Sequence, residues 1–176
     1  SLLLAALAAE AGDHVHLVMA DRAVRARVSG VDGDKLLPAL VDAMAPVEPT
    51  LIDTDWDAVA AHVRQLAVRP ALIVLLTAQD EASAARGFLG TLPGFTEHAH
   101  VLVGTVADTG LADQARTRGT VGQVYRAAPA EQTLADAARV TQAVAAAGAD
   151  ALTDGPDELP PRIADRYLEL KAAGRL

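Results

Sequence analysis

The chain has 176 residues, of which 51% are hydrophobic and only 3% aromatic, and it has no cysteine. We therefore expect one domain over residues 1–176, with a core of Ala, Leu and Val and no disulfide or thiolate metal site. A formal charge of -8 leaves no basic stripe for phosphates, and no apolar run approaches the roughly 18 residues that span a bilayer, so neither nucleic-acid binding nor membrane insertion by this chain is expected.

The first predicted elements are a helix over residues 2–11 and two strands, residues 14–21 and 23–30, joined by a tight turn. In the second strand Val24, Ala26 and Val28 alternate with polar residues, as in a strand with one solvated face. Its charges favour a position at the rim of a sheet, as an antiparallel edge strand. Because the chain starts at Ser1 with a helix that no strand precedes, we interpret it as the C-terminal fragment of a longer protein.

The middle of the chain predicts helices that alternate with strands. A helix over residues 32–45 is followed by a second one, which we expect Thr54 to cap by accepting from the amide of Asp57. Residues 71–77 are apolar on both faces, which favours a strand in the middle of a parallel sheet. A helix over residues 80–92 and a strand over residues 100–108 follow.

The last third predicts helical structure over residues 110–147, which Pro129 should kink or split. A short strand over residues 149–153 precedes a final helix, which has Pro160 and Pro161 in its first turn and ends at Gly174. Strands that alternate with helices after one antiparallel pair predict a three-layer, Rossmann-like α/β fold with a mostly parallel sheet and one antiparallel edge strand.

Several stretches resemble a known family: GDHVHLVMADRAVRARV at 12–28, ALIVLLTAQD at 71–80, HVLVGTVAD at 100–108, VYRAAPAEQTL at 124–134 and DRYLELKAAGRL at 165–176. Together they are similar to the C-terminal part of the bacterial domain-of-unknown-function family fifty-eight, which itself resembles von Willebrand factor A domains. The resemblance implies a protein-binding role beside a MoxR-type AAA ATPase, in assembling or maturing other proteins. It also implies a cytoplasmic location, either free or tethered to the inner face of the membrane through an N-terminal part not present here.

The resemblance implies a degenerate metal site as well. Von Willebrand A domains hold magnesium through three loops at the top of the sheet, and this chain lacks the first loop altogether. Thr50 or Thr54 matches the threonine of the second loop, whereas Thr77 is followed by Ala78 where the third loop would have aspartate, and Asp80 comes two residues later. Since magnesium demands near-octahedral oxygen coordination, Thr54, Thr77 and Asp80 are weak candidates, and we expect no cofactor unless upstream residues complete the site.

In that fold the missing opening strand lies between the strands at 14–21 and 71–77. Either those two strands pair directly, or an unpaired apolar edge is left for another chain. The resemblance therefore predicts homo-oligomers of this fragment.

Three other residue sets bear on function. His14 with His16, and His98 with His100, are each two apart on a strand and could ligate zinc in a metal-dependent hydrolase, the alternative function, which could instead use the loop at Thr77. Against this, both pairs stand where strands start, the end of an α/β sheet that rarely carries chemistry. We expect packing or solvated histidines, and no catalytic residues. The second set consists of two acidic clusters, which we interpret as helix caps: Asp53, Asp55 and Asp57, and, near the last helix, Asp150, Asp154, Asp157 and Glu158. The third set is a predicted partner-binding surface at Gln79, Asp80, Arg126 and Arg166.

Overall fold

The structure is a computed structural model that describes residues 1–50, 52–66, 69–78, 85–117, 119 and 121–176, without the side chains at 121–124 and 126. In chain order its elements are α1 (Leu2–Glu10), β1 (Leu17–Ala20), β2 (Val24–Val28), a 3-10 turn (Gly33–Lys35), α2 (Leu36–Met44), α3 (Trp56–Leu66), β3 (Leu72–Leu76), α4 (Ala85–Thr96), β4 (His100–Val106), α5 (Thr109–Arg116), α6 (Val121–Ala146), β5 (Asp150–Asp154) and α7 (Leu159–Ala172).

Three strands form a parallel sheet in the order β3-β4-β5. One face carries Ile73, Leu75 and Val103 and packs under α3, α4 and α6, whereas the other carries Leu102 and packs under α7. Apolar residues on both faces are what a parallel strand covered by helices requires. The predicted α/β class is therefore confirmed.

The antiparallel pair is confirmed, but its predicted place in the sheet is wrong. β1 and β2 form a separate two-stranded sheet, in which Leu17 pairs with Val28 and Met19 with Ala26. β4, not β3, is the middle strand of the parallel sheet. β3 is apolar on both faces because helices cover both, although one of its edges has no partner strand among the described residues.

β1 and β3 nevertheless run in the same direction. Lys171 Nζ, in the last turn of α7, donates to Asp13 Oδ1 at 2.6 Å just before β1, and α7 returns from the end of β5 to the amino end of the parallel sheet. The amide of Asp55, just before α3, donates to the carbonyl oxygen of Asp21 at 3.1 Å just after β1, and α3 leads back to the start of β3. Both ends of β1 are thus tied to the matching ends of the parallel sheet.

Helix α1 bridges the two sheets on one face. Leu4 packs on the cluster that contains Leu72 and Val74 of β3, while Ala5 packs on the cluster that contains Val28 of β2. Direct pairing of β1 with β3, one of the two predicted arrangements, is therefore wrong for the described residues, and each of these strands keeps an unpaired edge.

We expect these edges to cause concentration-dependent association in solution, because unpaired N–H and C=O groups on an apolar strand are templates for pairing with another chain. Small-angle scattering over a concentration series tests this. A Val18→Lys variant, which places a charge on β1, should associate less than the wild type, whereas Val41→Lys on the exposed side of α2 should not differ from it. A compact monomer at every concentration would contradict the prediction.

Two helices continue through prolines, although the sequence predicted an end at residue 92 for the first and a kink or split at Pro129 for the second. α4 continues through Pro93 to Thr96, because Leu92 and Phe95 on either side are buried in the core. α6 is continuous through Pro129, and the helical region divides instead between Arg116 and Val121. One lost amide bond is tolerated here because Ala127 and Ala130, which flank Pro129, are both buried.

Candidate functional site

The carboxyl ends of the parallel strands expose apolar side chains. Leu76, the last residue of β3, is 49% exposed, and Val106, the last of β4, is 56% exposed. The register pairs Leu76 with Gly104 and Val106 with Asp154, so these ends share one rim. In α/β sheets this rim is the usual place for ligands. We call the surface formed by Leu76, Val106 and the described residues that end or follow β4 and β5, from Val106 to Asp108 and from Asp154 to Glu158, the carboxyl rim.

The glycine in β4 shapes this rim. A Cβ at Gly104 would lie 2.9 Å from Ile163 Cδ1 and 2.9 Å from Leu76 Cδ2. The side chains of Leu76 and the buried Ile163 of α7 therefore both pack over the backbone of β4 at Gly104. Leu76 thus packs partly on the sheet instead of extending freely into solvent.

Other exposed apolar residues lie toward the same end of the molecule. α1 ends beside Lys171 at the amino end of the sheet, so its first residues, the exposed Leu2 and Leu3, are at the opposite end. The exposed Ile52 lies ahead of α3, near the carboxyl end of β1. Apolar patches rimmed by polar groups are typical of protein-binding surfaces.

A helical arm stands beside the carboxyl rim. Asp108 caps α5, since its Oδ1 accepts from the amides of Gly110 at 2.9 Å and Leu111 at 3.2 Å. α6 has 26 residues and is therefore about 39 Å long, whereas the five-residue β5 extends about 17 Å. Its last turns pack on the sheet through Val140 and Val144, so its first half extends past the rim, packed on α5.

The carboxyl rim is acidic. Asp154, at the end of β5, is neutralised by Arg162, whose Nη1 donates to both carboxylate oxygens at 2.9 and 2.8 Å. Asp108, Asp157 and Glu158 are exposed and have no ion pair among the described residues. The rim therefore carries uncompensated negative charge close to its apolar side chains.

The predicted metal ligands are not brought together in the described part. Thr77 follows β3, and its amide donates to the carbonyl oxygen of Gly104 at 3.1 Å, while Gln79 and Asp80 lie outside the described residues. Thr54 was predicted to cap α3, and this is wrong: Asp55 Oδ1 accepts from the amide of Ala58 at 2.9 Å, one position later. The helix starts at Trp56, so Asp55 is the residue with its side chain in reach of the first free amides.

Thr50, the other threonine considered for the second loop, belongs to a polar cluster around Asp21. Its hydroxyl donates to Asp21 Oδ2 at 3.1 Å, and Arg25 Nη1 donates to the same oxygen at 2.8 Å. The amide of Ala23 donates to Asp21 Oδ1 at 2.9 Å. That backbone bond, followed by the contacts with Arg25 and Thr50, lowers the pKa of Asp21 to about 2. The cluster fixes the turn between β1 and β2.

The low pKa of Asp21 predicts a loss of stability in acid. A group whose pKa is depressed in the folded state contributes stability above its unfolded pKa, 3.8, and that contribution disappears as the pH falls toward about 2. Asp21→Asn should therefore be less stable than the wild type at about pH 6, and the difference should shrink by about pH 3, as measured by urea unfolding. Asp42→Asn, an exposed carboxyl on α2, is the control and should show little difference at either pH. A deficit for Asp21→Asn that does not change with pH would contradict the assignment.

The two histidine pairs lie beside different sheets, and the prediction that each pair lies on a strand is wrong, since β1 begins at Leu17 and β4 begins at His100. His14 and His16 precede β1, and His14 Nδ1 lies 2.9 Å from Asp32 Oδ1, a contact that raises the pKa of His14. His98 and His100 line an open cleft of about 460 Å³ at the amino end of the parallel sheet, together with Asp150 and Arg175. Within the described residues, no three His, Asp or Glu side chains converge as metal ligands would.

Of the four predicted partner-binding residues, Arg166 is the one whose side chain belongs to the described part of the chain. The side chain of Arg126 lies outside the described residues, as do Gln79 and Asp80. Arg166 bridges α7 to β5: its Nε donates to Asp150 Oδ2 at 2.8 Å and its Nη1 to Glu169 Oε2 at 2.9 Å. A partner that used Arg166 would therefore compete with two intramolecular ion pairs.

One polar cluster was not anticipated from the sequence. The hydroxyl of Tyr167 donates to Asp13 Oδ2 at 2.6 Å, and Lys171 Nζ donates to Asp13 Oδ1 and, at 3.1 Å, to the carbonyl oxygen of Ala11. The hydrogen bond from Lys171 lowers the pKa of Asp13, while burial raises the pKa of Tyr167. We call Asp13, Tyr167 and Lys171 the α1–α7 clamp, because they fasten the end of α1 to α7.

The clamp and the Arg166 bridge account for much of the DRYLELKAAGRL stretch. Tyr167 and Leu170 are buried, and Gly174 has a φ of 65°, which suits the end of a helix. The DRYLELKAAGRL stretch stood out in the sequence because generic helix formation does not require it. It did not identify Asp13 as the partner of Tyr167, because the two residues are 154 positions apart.

Among the described residues, no helix has the length and apolar character needed to cross a membrane. No protein-family model matches this chain, and neither the curated proteins nor the solved structures compared with it contain a significant match.

Proposed function

We propose that this chain is a non-enzymatic protein-binding module of von Willebrand factor A type, which acts with a MoxR-type AAA ATPase in the assembly or maturation of other proteins. The family and the ATPase partner come from the sequence resemblance. In the same proposal the module works in the cytoplasm, either free or tethered to the inner face of the membrane.

The observation that carries the binding role is the carboxyl rim. Leu76 and Val106 are half exposed at the ends of adjacent strands, at the edge of the sheet where α/β proteins usually bind ligands. The arm of α5 and α6 borders this patch, as do the carboxylates of Asp108, Asp157 and Glu158, which have no ion pair within the described part of the chain. An apolar centre with a polar border is the usual anatomy of a protein interface.

A hydrolase would need a converging set of catalytic groups. The histidine pairs lie beside different sheets, and Asp21, Asp13 and Arg166 are engaged in bonds that fasten structural elements. The described residues thus favour a binding role over the hydrolase, and calorimetric titration with zinc separates the two, since only the hydrolase needs tight metal binding.

The partner is tested by a pull-down of the full-length protein with a MoxR-type ATPase from the same genome, with ATP, with ADP and without nucleotide. We expect retention of the ATPase that depends on the nucleotide, because the ATPase changes conformation during its cycle. Failure to retain it under all three conditions, with a folded bait, would contradict the proposal.

A further inference from the structure

An apolar cavity of about 130 Å³ lies beneath the base of the helical arm. Its deep walls are the buried Phe88, Val103, Val140 and Val144, and its outer walls include Val106, Leu111 and Ala137. It therefore lies between the helix-covered face of β4 and β5 and the point where α6 leaves the sheet.

The cavity opens at the carboxyl rim. Val106, which is more than half exposed, and Asp108, the cap of α5, both line it. The helix threonines that line it have satisfied hydroxyls: Thr133 Oγ1 donates to the carbonyl oxygen of Pro129 at 3.1 Å, and Thr141 Oγ1 to that of Ala137 at 3.0 Å. These two hydroxyl groups therefore need no hydrogen bond from a ligand in the cavity.

Negative charge stands close to the opening. The loop after β5 reaches the start of α5, since a Cβ at Gly155 would lie 3.7 Å from Thr109 Cγ2, and the carboxylate of Glu158 lies against Gly155. Glu158 and the neighbouring Asp157 therefore lie at the same end of the sheet as Asp108, which lines the cavity, and none of the three has an ion pair among the described residues. Arg162, in the same part of α7, is already bound to Asp154.

We propose that this cavity is the anchor site for one apolar side chain of a partner protein, and that lysine or arginine residues flank this side chain in the partner. A cavity of about 150 Å³ holds one benzene molecule, so about 130 Å³ fits a single leucine-sized group, or a phenylalanine ring that remains partly in the opening. The carboxylates at the opening then select positively charged neighbours and disfavour acidic ones. This inference rests on the proposed protein-binding function and specifies the chemistry of the partner segment.

The test uses a labelled synthetic peptide, acetyl-Lys-Arg-Phe-Arg-Lys-amide, titrated with the full chain and followed by fluorescence anisotropy. The same peptide with Ala in place of Phe should bind about tenfold more weakly or worse, because the apolar anchor is lost. A peptide in which Glu replaces each basic residue should not bind measurably, and added salt should weaken the basic peptide.

Matched variants locate the site. Ala137→Leu fills the cavity and should weaken the Phe peptide about tenfold, whereas Ala135→Leu, on the exposed side of the same helix, should leave its affinity unchanged. Should Ala137→Leu unfold the chain, Asp157→Asn with Glu158→Gln on the surface replaces it, and this pair should weaken binding several-fold.

Equal affinity of the Phe and Ala peptides, or no effect of either the cavity variant or the charge variants, would overturn the inference. The outcome is separable from that of the proposed function. Peptide binding at the cavity without retention of the ATPase removes the proposed partner only. Retention of the ATPase that is indifferent to Ala137→Leu removes the cavity inference only.

Discussion

Replacing Phe88 by alanine is expected to lower the free energy of unfolding by about 3 to 5 kcal/mol, the range for a large aromatic residue removed from a well-packed core. Phe88 is 0% exposed, and its ring centroid lies 4.7 Å from that of Trp56, so α3 and α4 both lose contacts in the variant. Urea unfolding followed by circular dichroism measures the change.

The matched control is Tyr125→Ala, since Tyr125 is 78% exposed on α6 and should change stability by no more than about 0.5 kcal/mol. Phe88 also forms part of the deep wall of the cavity under the arm. A Phe88→Ala protein as stable as Tyr125→Ala would mean that the core is not organised around α4 as described.

Replacing Tyr167 by alanine is the second large expected effect, again about 3 to 5 kcal/mol, because its ring is buried on the same face of α7 as Ile163 and Leu170. Tyr167→Phe keeps the ring and removes only the hydroxyl that donates to Asp13 at 2.6 Å. A hydrogen bond to a charged group contributes about 1.5 to 3 kcal/mol, and the partial exposure of Asp13 places the expected loss near 1 kcal/mol.

Thermal and urea unfolding of both variants separate the ring from the hydroxyl. In an Asp13→Asn background, Tyr167→Phe should cost less than it does in the wild type, because the charged acceptor is gone. Identical losses in the two backgrounds would show that the α1–α7 clamp does not couple these residues.

Local patterns predicted the type of most elements. The alternation in β2, the apolar run of β3 and the prolines at the start of α7 each reflect a requirement that is local to the element. Such requirements can be read from neighbouring residues, because side-chain period and missing amide donors act within one element.

Longer-range choices could not be read in this way. Whether β1 joins the parallel sheet depends on which edges meet in three dimensions, and it forms a second sheet with β2 instead. The continuity of α6 through Pro129 depends on burial of Ala127 and Ala130, which the local rule for proline does not include. The clamp joins Asp13 to Tyr167 across almost the entire chain, and no spacing rule links them.

The candidate site shows the same limit. The end of β3 was considered as a functional surface from the general behaviour of α/β sheets, beside a helix-capping role for Thr77 and Asp80, and this stays a prediction. Its content was not predicted, because the exposure of Leu76 and Val106 and the reach of the α5 and α6 arm follow from packing. The loop residues Gln79 and Asp80, on which the sequence placed most weight, lie outside the described residues.

The most direct test of a protein-binding carboxyl rim is an equilibrium titration of a MoxR-type ATPase with the wild-type protein, with a Leu76→Ser and Val106→Ser double variant, and with Leu168→Ser as control. Leu168 is 46% exposed, similar to Leu76, but lies toward the far end of α7. We predict that the double variant binds at least about tenfold more weakly than the wild type, because two apolar contacts are lost, and that the control binds equally well. Equal affinity of the wild type and the double variant, or an absence of binding by the wild type, would contradict the account.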